Sequence, residues 1–219
     1  FIWDVQLNTD SINPYEKIPS DHFGDLLYPN NNVRGLDLLM RMNSPNYFSV
    51  YPPLQQVFFI PAAFGDTVHE SVLILRLIIL LGELLLFYFF MISVQKKLLN
   101  ENLIPWLWLN PLWIIEVNGN LHFEGWMITF MFIGVYYLRN RLNYLGALFL
   151  GLAAGLKMIP ILLMPMIKKW WGFRSSFLIL AGIFAVFTLS LSFLFFGHSF
   201  SHFSQSIDLY YHKFEFNAS

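Results

Sequence analysis

The basic residues of this chain fall between its apolar runs, and always at the same end of each alternate run. Lys96–Lys97, Arg139–Arg141 and the group Lys168, Lys169 and Arg174 each follow a hydrophobic stretch of membrane length. The segments between them carry acids and histidine instead: Glu116, His122 and Glu124, and the polar stretch from Asp4 to Glu70. Cytoplasmic loops of membrane proteins hold the excess of lysine and arginine. The pattern therefore predicts an all-α, polytopic membrane helical bundle, with its basic loops in the cytoplasm and its reactive groups at the outer face.

Composition narrows the choice of chemistry. Only 12% of the residues are charged and 56% are hydrophobic, where a soluble domain carries roughly 25% charged residues. A net charge of −1 gives no general attraction to nucleic acid. Cysteine is absent, which excludes a disulfide framework, an iron–sulfur centre and cysteine-ligated zinc. No cofactor is indicated, and one histidine with two glutamates in a loop is not a specific pattern for a divalent cation. The opening at Phe1 and the polar, aromatic close at Phe214–Ser219 read as cuts from a longer protein.

Three regions emerge from hydropathy and turn signals. Residues 1–70 form an outer-face juxtamembrane segment of short helices and loops, with turns at Asn13-Pro14, Tyr28-Pro29-Asn30, Ser44-Pro45 and Tyr51-Pro52-Pro53. Leu36, Leu38, Leu39 and Met40 suit a helix lying on the membrane surface. Residues 53–65 are apolar but fall short of the roughly 20 residues a span requires, so they predict a half-depth or surface helix.

Residues 71–196 form the transmembrane bundle. The stretch 71–94 runs inward, 103–117 returns outward, and 121–138 runs inward again. Pro105 and Pro111 make the outward run short or kinked. The stretch 142–167 is interrupted at Lys157-Met-Ile-Pro160, which predicts one short helix going out over 143–156 and another coming back over 159–167. Gly151 and Gly155 give the outgoing helix a face for close approach. Residues 175–196 run out once more, and 197–219 begin a second outer-face loop.

Several groups are candidates for chemistry. Arg76 and Glu83 are seven apart inside an apolar run, hence on one helical face, where an isolated charge costs about 2.5–3.5 kcal/mol on insertion scales. They serve either as structural partners, to each other or to neighbouring helices, or, for Arg76, as a hold on an anionic headgroup. Glu116, Asn118, Asn120, His122 and Glu124 share one outer turn, either as a wet turn with Asn120 and Glu124 at the next helix N-terminus or as a polar pocket floor for a sugar or cation. Lys157 sits at the tip of the broken pair, either snorkelling or clamping a lipid-linked phosphate beside helix ends. Asp10, Asp21, Asp25 and Asp37 read as solvated carboxylates. Asp4 differs because Phe1, Ile2, Trp3 and Val5 surround it with apolar neighbours, a setting that suits a general base.

These residues resemble a known pattern. Phe1-Ile-Trp-Asp4, Ile12-Asn-Pro-Tyr15, Leu27-Tyr28, Asn43-Ser44 and Tyr51-Pro-Pro-Leu54-Gln are similar, in that order, to the first outer loop of bacterial polyprenol-phosphate-mannose-dependent mannosyltransferases of the GT-C superfamily. Asn110-Pro-Leu112, Ile115-Glu116, Asn118-Gly119-Asn120 and His122–Glu124 resemble the family's following outer turn. Gly151–Lys157 with Pro160 resembles its short helix hairpin. The likeness extends from residue 1 to about 170.

The resemblance implies transfer of a sugar, mannose first, from a polyprenyl-phosphate carrier to a glycan or glycolipid acceptor, with the lipid bilayer as setting and the bacterial inner membrane as location. It implies an acidic general base in the first outer loop. The family carries one or two acids shortly before its Trp-Asp pair; that stretch is not in this sequence, so the resemblance puts the main catalytic acid upstream of Phe1 and leaves Asp4, the acid of the Trp-Asp pair itself, as the matching acid here. Lys157 and Arg76 would meet the phosphate, and Tyr51, Glu116, His122 and Glu124 the rest of the substrates. A transporter or flippase for a lipid-linked glycan would share the spans and broken helices, but it would hold its polar groups at mid-membrane rather than at one edge.

Overall fold

A computed structural model describes residues 1–10, 12–22, 33–42, 45–163, 165, 173–195 and 198–212. Asp25, Lys168, Lys169, the pairs Leu27–Tyr28 and Asn43–Ser44, and most of the returning stretch 159–167 beyond Leu163 lie outside the described residues. The described residues are helical, with no strand among them. The α-helices are α1 (Ile2–Thr9), α2 (Val33–Arg41), α3 (Pro53–Phe59), α4 (Val68–Gln95), α5 (Leu103–Trp108), α6 (Glu124–Arg139), α7 (Asn143–Leu156), α8 (Phe173–Ser190) and α9 (Ser199–His212). A 3₁₀ stretch, Ile60–Phe64, prolongs α3, and a helical turn at Pro111–Trp113 runs into a π-helix at Ile114–Gly119. The chain divides into two compact units, Phe1–Ile74 with Ser192–Ser219, and Leu75–Leu191.

In the first unit, α1 packs Trp3 and Leu7 against Leu39 of α2, with Ile12, Leu38 and Met42 around them. Helix α9 joins the same unit. Its buried side is Ser199, Phe203 and Ser206. Asn13 Nδ2 donates to Ser199 Oγ at 3.0 Å, Ser206 Oγ donates to the Phe48 carbonyl at 2.9 Å, and His202 Nδ1 lies 2.7 Å from the Tyr15 carbonyl. Residues 199–212 are thus a helix where the sequence reads as loop. Its inner stripe is serine, histidine and phenylalanine rather than aliphatic, so hydropathy does not mark it.

Helix α4 has 28 residues, about 42 Å at 1.5 Å per residue. It is the one described helix long and apolar enough to cross a membrane. A capping box starts it: Glu70 N–H donates to Thr67 Oγ1 at 3.2 Å, and Thr67 N–H donates to Glu70 Oε2 at 3.3 Å. Leu77, Leu80, Leu81, Leu84 and Tyr88 are exposed along it, which is not how a core helix of a soluble protein presents its leucines.

Side-chain register gives the helix directions within the second unit. Trp126 Nε1 donates to the Ile78 carbonyl, Thr129 Oγ1 to the Gly82 carbonyl, and Lys96 Nζ to Tyr136 Oη. Later residues of α6 meet later residues of α4, so the two run parallel. The segment between them runs the other way, since Trp108 packs on Phe87 and Phe90 while Trp113 and Asn118 reach Glu83. Gly134 abuts Leu150 and Gly146 abuts Leu138, which makes α6 and α7 antiparallel. Gly182 abuts Ala147, and Gly151 abuts Val186. The constant offset makes α7 and α8 parallel. These directions agree with the alternation read from the basic clusters. They place Lys96, Lys97, Arg139 and Arg141 at one end of this unit, and Glu116, His122, Glu124 and Lys157 at the other.

Helices α4 and α6 end alike. Leu98 N–H returns to the Ser93 carbonyl and Lys97 N–H to Val94, while Leu142 N–H returns to Tyr137 and Arg141 N–H to Leu138. Each is a Schellman closure with its C′ residue in the left-handed region, at φ 56° for Lys97 and 63° for Arg141.

Gly151 decides how closely α7 and α8 approach. A Cβ there would lie 2.5 Å from Val186 Cβ and 3.0 Å from the Ile183 carbonyl oxygen. Gly151→Ala should destabilise the second unit by about 1–3 kcal/mol through overpacking. Gly119→Ala, whose Cβ would meet only the Ile114 carbonyl oxygen at 3.7 Å, should stay within about 0.5 kcal/mol. Thermal unfolding in detergent, followed by tryptophan emission, compares the two.

Candidate functional site

The sequence-derived candidates other than Arg76 gather in two constellations, one in each unit. In the first, Asp4 occupies the opening turn of α1 and is 4% exposed. Its Oδ2 accepts from Ser49 Oγ and from Gln56 Nε2, each at 2.5 Å. Gln56 Nε2 also reaches Ser49 Oγ at 3.1 Å, so the three side chains close a triangle. Burial costs a carboxylate its water, and these two donors replace that water. Asp4 is therefore a fixed, hydrogen-bonded acid rather than one merely flanked by apolar neighbours.

Tyr15 and Tyr51 frame this triangle. Tyr15 Oη donates to the Tyr51 carbonyl at 2.5 Å, and the Tyr51 ring meets Phe59 edge-on at 5.4 Å. Burial, and then the negative charge of Asp4, push the Tyr15 hydroxyl well above its ordinary pKa. It stays protonated and acts as a donor. Nothing in the sequence singles out Ser49, Gln56 or Tyr15 for this role. Gln56 lies at the edge of the Tyr51–Gln55 motif, and its burial is the signal that the sequence does not display. Asp10, Asp21 and Asp37 are exposed, as expected for solvated carboxylates. Asp10 accepts from Gln6 Nε2 at 3.0 Å, and Asp37 pairs with Arg41 at 2.8 Å within α2.

The second constellation begins with Glu83, buried near the middle of α4. Its Oε1 accepts from Trp113 Nε1 at 2.5 Å and from Asn118 Nδ2 at 2.9 Å. Of the two structural readings, Glu83 follows the second: its partners come from a neighbouring helical segment, not from Arg76. Arg76 is exposed and makes no ion pair among the described residues, because the indole and amide donors already meet the carboxylate inside the unit. Trp113 immediately precedes the π-helix and Asn118 lies near its end, and a π-helical stretch is a rare element found mostly at functional sites.

That anchored turn delivers the acids and the histidine. Asn120 N–H closes onto the Ile115 carbonyl and His122 N–H onto Glu116, which forces the intervening Leu121 to φ 57°. A leucine holds this strained conformation because its side chain is buried. His122 Nδ1 then lies 3.3 Å from Glu116 Oε2 and 3.8 Å from Glu124 Oε2. Asn120 Nδ2 donates to Glu116 at 3.3 Å rather than capping α6, whose N-cap residue is Phe123.

Lys157, the C-cap residue of α7, forms an ion pair with Glu124 in the first turn of α6. The α7 terminus at Lys157 is a C-terminus, whose dipole favours the lysine itself rather than an anion. Four sequence candidates, Glu116, His122, Glu124 and Lys157, thus form one chain of polar contacts on partly exposed side chains. Among the described residues no group of three or more histidines and carboxylates is arranged to hold a metal ion.

The family profile described as alpha-(1->6)-mannopyranosyltransferase, N-terminal domain, matches residues 3–173. The chain belongs to that family. It is accordingly a glycosyltransferase of the mannosyltransferase, GT-C-like membrane class, and the matched range takes in both constellations. No curated protein and no solved structure matches it.

Glu83 gives a direct test of how the turn is held. Glu83→Ala leaves an indole N–H and an amide without their acceptor, at about 1–3 kcal/mol for each group that stays buried. Glu83→Gln keeps a carbonyl acceptor in place. The alanine variant should melt several degrees lower and shift the tryptophan emission, and the glutamine variant should recover most of both.

Proposed function

We propose that this chain transfers mannose from a polyprenyl-phosphate carrier to a hydroxyl of a glycan or glycolipid acceptor, at the outer face of a multi-pass bundle in a bacterial inner membrane. The family match over residues 3–173 carries the sugar and the reaction class. It also favours this reading over a flippase for a lipid-linked glycan, since the family is one of transferases. The carrier rests on the family resemblance read from the sequence, and the face of the membrane on the charge pattern, since Lys96, Lys97, Arg139 and Arg141 lie at one end of the second unit and Glu116, His122 and Glu124 at the other.

The reaction calls for two services. The acceptor hydroxyl loses its proton as the anomeric bond forms, and Asp4 is the base assigned to it. Ser49 and Gln56 hold that carboxylate through one oxygen, which leaves the other for the proton. The phosphate that departs gains charge, and Lys157 is the cation assigned to meet it. In the free protein its charge is matched by Glu124, and a donor phosphate competes with that carboxylate. Arg76 supplies a second exposed cation, while Tyr51, Glu116 and His122 are assigned to the sugar and acceptor.

Membranes carrying the protein should incorporate radiolabelled mannose from polyprenyl-phosphate mannose. Asp4→Asn should lower turnover by about 10²–10⁴-fold, the range of a lost general base. Lys157→Ala should act mainly on the donor, through a higher donor KM, a lower kcat, or both. Wild-type rates in both variants would remove these two assignments and leave the family activity standing. Because the chain has no cysteine, orientation is read with single replacements. In intact cells His122→Cys should react with an impermeant maleimide and Arg139→Cys should not; the reverse result would turn the protein over.

A further inference from the structure

The segment from Pro53 to Phe64 is amphipathic in the wrong sense for water. Its inward residues include Gln55 and Gln56, 5% and 8% exposed, beside the fully buried Phe59 and Ala62. Its outward residues are Val57, Ile60 and Phe64, exposed by 56%, 48% and 83%. They are spaced three and four apart, hence on one side of the helix. A surface helix in water shows the opposite arrangement, with apolar residues inward and amides outward.

The start of α4 fixes the position of this segment. Only Gly65, Asp66 and Thr67 separate the two. Ser71 Oγ, in the first turn of α4, donates to the Ala62 carbonyl at 2.8 Å. Gly65 is pressed so closely on this turn that a Cβ would lie 2.7 Å from the Ser71 nitrogen. Asp66, Thr67, His69 and Glu70 form a polar collar at the same level. The apolar stripe is therefore tied to the point where α4, the one membrane-length helix among the described residues, passes from polar to apolar surroundings.

We infer that Val57, Ile60 and Phe64 are seated in the lipid at that boundary, so that the bilayer forms one wall of the structure that holds Asp4. The occupant is phospholipid rather than a protein, because the stripe adjoins a helix whose own exposed leucines call for hydrocarbon, and because the polar collar marks the water level beside it. Gln56 transmits the constraint: lipid lies on one side of its helix, and its amide bonds Asp4 on the other. Removing three apolar side chains from water favours one placement, so three anchors fix the height and roll of this helix. The inference rests on α4 crossing a membrane, and not on the transferase assignment of any residue.

Site-directed spin labelling tests it on the whole chain in vesicles of phosphatidylethanolamine and phosphatidylglycerol. Single cysteines replace Val57, Ile60 and Phe64, with Leu80→Cys on α4 as the lipid reference and Asp66→Cys as the water reference. Collision with oxygen reports lipid, and collision with a water-soluble nickel chelate reports water. Labels at 57, 60 and 64 should follow position 80, with oxygen collisions several-fold above those at 66. If they follow 66 while 80 remains in lipid, the stripe faces water and the inference is overturned with the membrane reading intact. Shielding from both reagents shows a protein covering and overturns it equally. If position 80 itself meets the nickel chelate, α4 is not in the bilayer and both statements fall.

Discussion

A carboxylate halfway along an apolar helix cannot be left bare, and much of the second unit follows from how Glu83 is answered. Two neutral N–H donors, from Trp113 and Asn118, share one of its oxygens. One donor stands just before the π-helix and the other within its last residues, so a single acceptor pins the segment that turns the chain toward α6. That pinning leaves Leu121 in a left-handed conformation and sends His122 and Glu124 to the same side as Glu116. Had Arg76 met Glu83 instead, two charges would have needed desolvation and the turn would have had no anchor.

The parts of the fold that depend on segment length and charge sign were legible in the sequence. The apolar run before Lys96 is one long helix, the run after it is interrupted just before Pro111 while Pro105 is taken into the first turn of α5, and Lys157 ends α7. The parallel course of α7 and α8 also agrees with the charge arithmetic, since both precede or follow basic residues at matching ends. The partner of Glu83 was not legible. A residue seven positions away on the same helix face looked suitable, but a helix bearing a bulky indole 30 residues later came closer. Hydropathy records tryptophan as an apolar bulk and is silent about its N–H. Helix α9 escaped for a related reason, because Ser199, His202 and Ser206 are held by hydrogen bonds rather than by apolar area.

The candidate site was legible as a set of residue types, and less so as contacts. Spacing placed Glu116, His122 and Glu124 in one turn, and the fold adds Lys157 from 33 positions further along as the ion partner of Glu124. Asp4 stood out by its apolar neighbours, yet its environment is set by Ser49 and Gln56, which only the folded chain brings to it. The family match supplies the reaction, and the two constellations supply the groups able to serve it: a carboxylate held by donors, and a cation already engaged with a carboxylate.

The closures of α4 and α6 carry a consequence of another kind. Glycine would occupy a left-handed C′ position with no steric penalty, whereas Lys97 and Arg141 accept a cost of roughly 1 kcal/mol apiece. At these two sites one residue both stops a helix and bears a positive charge. On the proposed topology, terminating the helix and biasing how it inserts are thereby fused into one side chain, so at Lys97 and Arg141 evolution cannot relax the first without eroding the second.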